Sequence, residues 1–178
     1  QVNSSIRRPG LTIRGGYAGF GSNIPDTRDT DAFPTIFDGD LLNNDPPYFA
    51  DQSLPVYGDN LSFNLEVFSP GTTLTIDGLR FRNLWNNGTM ITSTDCNITL
   101  RDLQLSRSYL GAGLLLMYPT PNTATITDCT LDNIVYDLSG FVWQRSLTTL
   151  RAVNCRATDT RQITNFPSFP EAPGRPGG

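Results

Sequence analysis

One stretch of this sequence repeats over itself, first after 24 residues and then after 26. Leu74-Thr-Ile76-Asp-Gly78-Leu79-Arg-Phe81 returns as Ile98-Thr-Leu100-Arg-Asp102-Leu103-Gln-Leu105 and again as Ala124-Thr-Ile126-Thr-Asp128-Cys129-Thr-Leu131. A fainter copy follows, Leu150-Arg-Ala152-Val-Asn154-Cys155-Arg-Ala157. In each copy the apolar residues alternate with polar ones, break at a corner, and resume. Period-two alternation places the apolar side chains on one face of a strand. Repeats of this length with strand alternation indicate a solenoid, in which each copy buries its apolar face only by stacking on the next.

The columns of such a stack follow directly from the spacing. Inward positions are Leu74, Ile98, Ala124, Leu150; Ile76, Leu100, Ile126, Ala152; Leu79, Leu103, Cys129, Cys155; and Phe81, Leu105, Leu131, Ala157. Outward positions such as Thr75, Thr99, Thr125 and Arg80, Gln104, Thr130, Arg156 are polar. The corner carries Gly78, Asp102, Asp128 and Asn154, residue types that tolerate left-handed backbone. A further strand per copy is visible at Thr89–Thr92, Gly113–Leu116 and Gly140–Trp143, at nearly the same spacing.

Three short strands per repeat, stacked at the inter-strand spacing of roughly 4.8 Å, predict an all-β parallel β-helix of about four to five coils. A leucine-rich repeat wants a Leu-rich consensus with an Asn, and a β-sandwich would not keep equivalent residues one period apart.

Before the regular copies the chain reads as an interrupted coil, with strands at Leu11–Arg14, Pro34–Phe37 and Phe63–Val67. Long loops over about residues 17–33 and 38–62 separate them, and loops of that length in a compact fold are where function concentrates. The expected organisation is one β-helix domain over 1–166, loop-rich at 17–62 and regular at 72–166. A Pro/Gly-rich tail or linker at 167–178 follows, because proline cannot donate to a ladder.

Composition removes whole mechanisms. All thirteen basic residues are Arg, with no Lys and no His, and fifteen of the seventeen acids are Asp. A chain without His has no Ser-His-Asp or Cys-His machinery, and one without Lys has no Schiff base or P-loop lysine. The net charge of −4 argues against a nucleic-acid partner, which requires a basic footprint. No apolar run approaches the length of a transmembrane helix. Cys96, Cys129 and Cys155 form no CxxC pair, so neither a zinc cluster nor a disulfide framework is indicated. Gln1 opens the chain like a mature or trimmed product.

Certain words in the first half are recognisable. Arg14-Gly-Gly-Tyr-Ala-Gly19, Arg28-Asp29, Pro34-Thr-Ile36 and Asp38-Gly-Asp40, followed by Thr73–Phe81, resemble bacterial right-handed parallel β-helix surface proteins. Those proteins often carry a choice-of-anchor domain and belong to the pectate-lyase-like superfamily. The resemblance spans roughly residues 10–160 and implies a right-handed coil, export, and an extracellular or cell-surface location. The chain departs from the family in lacking an earlier cap and coil before the Gly-Gly-Tyr word, and it carries no catalytic word of polygalacturonases or pectate lyases.

Several candidate sites stand beside blander readings. The Asp-rich loops offer the oxygen ligands that calcium requires, with Asp38, Asp40 and Asp45 as first choices; Asp and Asn also simply make turns. Tyr17, Tyr48, Phe49 and Tyr57 beside those acids suit a carbohydrate platform, or else pin the loops to the scaffold. Asp102 and Asp128 stack at a spacing close to that of a retaining glycosidase pair, but every copy has a turn former there, and no residue is assigned as catalytic. Asp77 and Arg101 are stacked neighbours on the outside.

The expected function is a noncatalytic extracellular structural or adhesive module. It forms a homo-oligomer or a larger surface assembly through its solenoid ends, because open sheet edges recruit other chains. The alternative is a carbohydrate-binding or polysaccharide-cleaving domain that uses the Asp- and aromatic-rich loops.

Overall fold

The structure is a computed structural model and describes residues 2–6, 10–46, 59–68, 70–86, 88–117, 123–136, 142–144 and 149–162. Among these, seventeen strands and no α-helix occur. Strands are numbered along the chain and form three sheets in which every strand pairing is parallel.

The first sheet takes β1 (Val2–Ile6), β4 (Phe63–Phe68), β8 (Thr89–Thr94), β11 (Gly113–Met117) and β14 (Val142–Gln144), in that order. The second takes β2 (Thr12–Arg14), β5 (Thr73–Asp77), β9 (Asn97–Arg101), β12 (Thr123–Thr127) and β15 (Thr149–Val153). The third takes β3 (Thr35–Asp38), β6 (Leu79–Arg82), β10 (Gln104–Leu110), β13 (Thr130–Tyr136) and β16 (Arg156–Thr158). Two short strands, β7 (Trp85–Asn86) and β17 (Arg161–Gln162), extend the third sheet against β10 and β13. The chain thus visits the three sheets in cyclic order, and each strand pairs with its counterpart one repeat away.

The registers reproduce the expected columns. Leu74 pairs with Ile98 and Ile98 with Ala124; Ile76 pairs with Leu100 and Leu100 with Ile126; Phe81 pairs with Leu105 and Leu105 with Leu131. These side chains are buried in one continuous apolar core with Leu79, Leu103, Cys96 and Cys129, to which the first sheet adds Leu65, Met90, Ile91, Leu115 and Met117. At the N-terminal end of the Phe81 column, Phe37 stacks on Phe81 with ring centroids 5.1 Å apart, and Phe63 closes a three-ring cluster.

The corner column is left-handed throughout, with φ of 70° at Gly78, 49° at Asp102, 55° at Asp128 and 53° at Asn154. A second such column lies where β6 gives way to β7, at Asn83, Arg107, Asn133 and Asp159, with φ between 45° and 55°. Asn and Asp tolerate this geometry because their short polar side chains hydrogen-bond locally. Three of these four positions carry them, so the column was readable at the same period.

Three features depart from expectation. The last inward residues are not core: Leu150 is 44% exposed, and Ala152, Cys155 and Ala157 are exposed. Alternation sets only which way a side chain points, whereas burial needs a neighbour on both sides of the stack. In the first sheet Leu115 pairs with Ile91, 24 residues back, but with Val142, 27 residues on. Its step therefore exceeds the 26 of Ala124 to Leu150. The additional residue falls within 137–141, outside the described residues. Finally, β1 adds a strand beside β4 that its polar sequence did not signal. The tail at 167–178 lies outside the described residues.

Candidate functional site

Two polar constructions flank the second and third sheets at the N-terminal end, and both use the loops singled out from the sequence. The first is built on Asp77. It sits at the end of β5, in register with Arg14 on one side and Arg101 on the other. Alternation points its carboxylate away from the core, yet it is only 1% exposed because the loop after β2 folds over it. Arg28 Nη2 donates to Asp77 Oδ1 at 2.7 Å while Arg28 Nε donates to the Gly15 carbonyl at 3.0 Å. Arg101 Nη2 donates to Oδ2, and Arg14 Nε lies 3.9 Å from the same oxygen. Burial acts to raise the Asp77 pKa, but the hydrogen bonds from Arg101 and Arg28 and their charges outweigh it, holding the carboxyl below 3.8.

Glycines make this closure possible. A Cβ on Gly15 would sit 2.3 Å from the Gly78 carbonyl oxygen, and one on Gly78 would sit 2.6 Å from Arg28 Nη2. The loop itself is ordered by a Tyr17–Arg28 antiparallel bridge and by Asp29, whose Oδ1 accepts from the Asp31 and Ala32 amides. Arg80 on β6 ties down its far limb through the Thr30 carbonyl and Asp31. The recognisable words at 14–19, 28–29 and 73–81 therefore meet in space as one clasp. Asp77 and Arg101 are stacked neighbours on the outer face, as expected, and Asp77 is buried there as well because a loop covers it.

The second construction joins the loop after β3 to the Asn83 corner. Asp38 Oδ2 accepts from Arg82 Nε at 2.6 Å, and Oδ1 accepts from Asn83 Nδ2 at 2.7 Å. Burial pushes the Asp38 carboxyl up, but the hydrogen bonds from Asn83, Arg82 and the Asp40 amide prevail and its pKa is lowered. Asp40 folds the chain back, with Oδ1 accepting from the Asn44 amide and Oδ2 from the Asp45 amide, both at 3.1 Å. Asn60 Nδ2 then donates to Asp45 Oδ2 at 2.7 Å and to the Asn83 carbonyl at 3.0 Å. Gly39 permits the close approach, since a Cβ there would lie 2.1 Å from the Asn83 carbonyl oxygen. Asp45 differs from Asp38: burial first, then the charges of Asp40 and Asp59, raise its pKa against the hydrogen bond from Asn60.

Asp38, Asp40 and Asp45 are thus brought into one hydrogen-bonded chain. Among the described residues, no three His, Cys, Asp or Glu side chains form a metal cage. Asn60 and Asn83, which the sequence reading did not single out, are the linkers. Asn83 carried one signal, its place in the second left-handed column; Asn60 carried none of that kind.

Of the aromatic candidates, Tyr17 is 40% exposed beside Arg28, while Tyr48, Phe49 and Tyr57 lie outside the described residues. A shallow groove of about 520 Å³ instead runs along the outer face of the third sheet, lined by Arg80, Arg82, Gln104, Thr130, Asp132 and Arg156 among others. Asp102 and Asp128 hold the left-handed corners, and Asn154 Nδ2 donates to Asp128 Oδ1 at 3.0 Å, a polar corner ladder. The three thiols are free, with Cys96 and Cys129 buried and Cys155 exposed. Burial raises the Cys129 pKa to about 11.

Compared with protein-family models, with curated protein sequences and with solved structures, the chain matches none. No helix among the described residues is long and apolar enough to cross a membrane.

Proposed function

We propose that this chain is a noncatalytic extracellular or cell-surface module, a right-handed parallel β-helix of four to five coils that joins copies or larger assemblies through its solenoid ends. The observation that carries this reading is the last layer of the stack. Among the described residues, β14, β15 and β16 are each the outermost strand of their sheet, and Leu150, Ala152 and Ala157 there are exposed. Unpaired strand edges with apolar residues behind them are templates for another β element. The recognisable words also support a scaffold, since Arg28, Asp77, Arg80 and Arg101 are engaged in fastening a loop to strands. The handedness and the surface location rest on the resemblance of those words to exported β-helix proteins. Light scattering across a concentration series tests the reading: mass that rises with concentration supports it, and a strict monomer at all concentrations removes it.

The groove on the third sheet favours a second reading, a carbohydrate-binding or polysaccharide-cleaving domain for acidic glycans. Arg82 and Arg156 lie on its floor with Gln104 and Thr130, a set that suits carboxylates and hydroxyls. A panel of polyuronates and neutral glycans, with and without calcium, decides it. No binding and no new reducing or unsaturated ends would remove this reading.

A further inference from the structure

The chain of side chains around the Asn83 corner is incompletely satisfied, and the deficit has one sign. Asp45 Oδ1, Asn60 Oδ1 and Asn83 Oδ1 are buried, and none accepts a hydrogen bond. In both asparagines the Nδ2 atom already donates, to Asp45 and the Asn83 carbonyl from Asn60 and to Asp38 from Asn83, so the unpaired atoms are the amide oxygens. Asn83 is 96% buried, being 4% exposed, and its side chain is held on Asp38. Three acceptors, one of them on a carboxylate, are therefore carried by three residues that two hydrogen bonds join.

A buried acceptor without a donor is costly, and more so when charged, so such groups in a native fold call for an occupant. A water molecule brings two protons to three oxygens and no charge. Asp45 forms no ion pair among the described residues, and the charges of Asp40 and Asp59 raise the negative potential at its carboxylate against the smaller opposing charge of Arg107. A cation answers both the unpaired oxygens and the charge. Only one of the three oxygens is anionic, and the other two are amide carbonyls on irregular backbone. That donor set matches the flexible all-oxygen coordination of calcium better than the strict octahedron of magnesium.

We propose that the Asp45 carboxylate and the amide oxygens of Asn60 and Asn83 form a calcium site that fastens the loop after β3 to the Asn83 corner. The low ligand charge places its affinity on the order of 10⁻⁴ to 10⁻³ M, the range of extracellular modules. The site is independent of self-association and of glycan binding.

Calorimetric titration of calcium chloride into the chelator-treated full chain tests it, with thermal unfolding followed in parallel. The expected result is one calcium per chain, a Tm that rises with calcium, and little response to magnesium. Asp45→Asn keeps the shape, removes the charge, and weakens calcium binding by at least about tenfold, whereas Asp26→Asn, an exposed acid outside the cluster, leaves it unchanged. Neither heat nor a Tm shift in the wild-type chain at about 10 mM calcium, ten times the weak end of that range, overturns the proposal and leaves water as the occupant. Wild-type binding that Asp45→Asn leaves unchanged overturns it equally.

Discussion

Arg28 reaches across 49 residues of sequence to hold the buried carboxylate of Asp77 at 2.7 Å, and in doing so lays the Gly15–Gly16 turn against the Gly78 corner. The contact joins the long first loop to the regular stack. Hydrogen bonds between charged partners contribute about 1.5–3 kcal/mol, so Asp77→Asn is expected to lower unfolding free energy in urea by about 2 kcal/mol. Arg28→Ala should behave similarly, and the pair should couple by about 1 kcal/mol or more in a double-mutant cycle. Additive effects would mean that the clasp contributes nothing as a unit.

The same clasp sets an acid limit. Asp77 and Asp38 both have pKa values lowered below 3.8 in the folded chain, so each contributes stability that is fully present above that value and is lost as pH falls through the lowered folded value. Asp45 runs the other way: its raised pKa means that protonation on acidification relieves a cost of folding. Urea midpoints should therefore hold or rise slightly as pH falls from 7, then drop below about pH 4. Asp77→Asn should flatten that acid limb; an unchanged limb would assign the loss to other carboxyls.

Leu100 and Leu150 occupy the same kind of inward strand position but sit in the middle and at the end of the stack. Leu100 is 0% exposed and Leu150 is 44% exposed. Leu100→Ala should cost about 2–5 kcal/mol, and Leu150→Ala less than about 1 kcal/mol. Equal costs in urea unfolding would show that a further element covers the last layer.

Glycine at position 15 is required by backbone, not by a movable side chain. Gly15→Ala places a methyl 2.3 Å from the Gly78 carbonyl oxygen, so the turn must shift. A loss of about 2 kcal/mol or more is expected, with faster proteolysis in the 16–34 loop as the structural readout. Gly10→Ala meets no neighbouring atom within 4 Å and incurs only the strain of its φ of 68°, about 1 kcal/mol.

The thiols should separate by reactivity. Cys155 is exposed, whereas Cys129 is buried with a pKa of about 11 and burial likewise raises that of Cys96. Thiol reactivity follows the thiolate. A thiol reagent at pH 8 should modify Cys155 alone in the native chain and all three thiols after denaturation. Rapid native labelling at Cys129 would contradict the stacking of that column.

Most of the architecture was legible because it is periodic. The columns through Leu74, Ile76, Phe81 and their copies, the corner at Gly78, Asp102, Asp128 and Asn154, and the interrupted strands at Thr12–Arg14 and Thr35–Asp38 all follow from spacing and alternation. The site was legible only in part. Asp38, Asp40 and Asp45 stood out as acids in one loop, but Asn60 and Asn83 are distant in sequence and chemically ordinary, and nothing local marks an amide oxygen that will be buried unpaired.

By itself the sequence determined which residues face inward and where the backbone turns, because alternation and left-handed tolerance are properties of single residues and their immediate neighbours. Only the tertiary structure decided which of those positions are buried and which charges meet. Among the described residues, Leu150 points inward like Leu100 but has no covering layer, and Asp77 points outward like Arg101 but is covered by a loop. Burial and electrostatic partnership depend on what else arrives at a position, and here the arriving groups, Arg28 at Asp77 and Asn60 at Asp45, come from loops that obey no period.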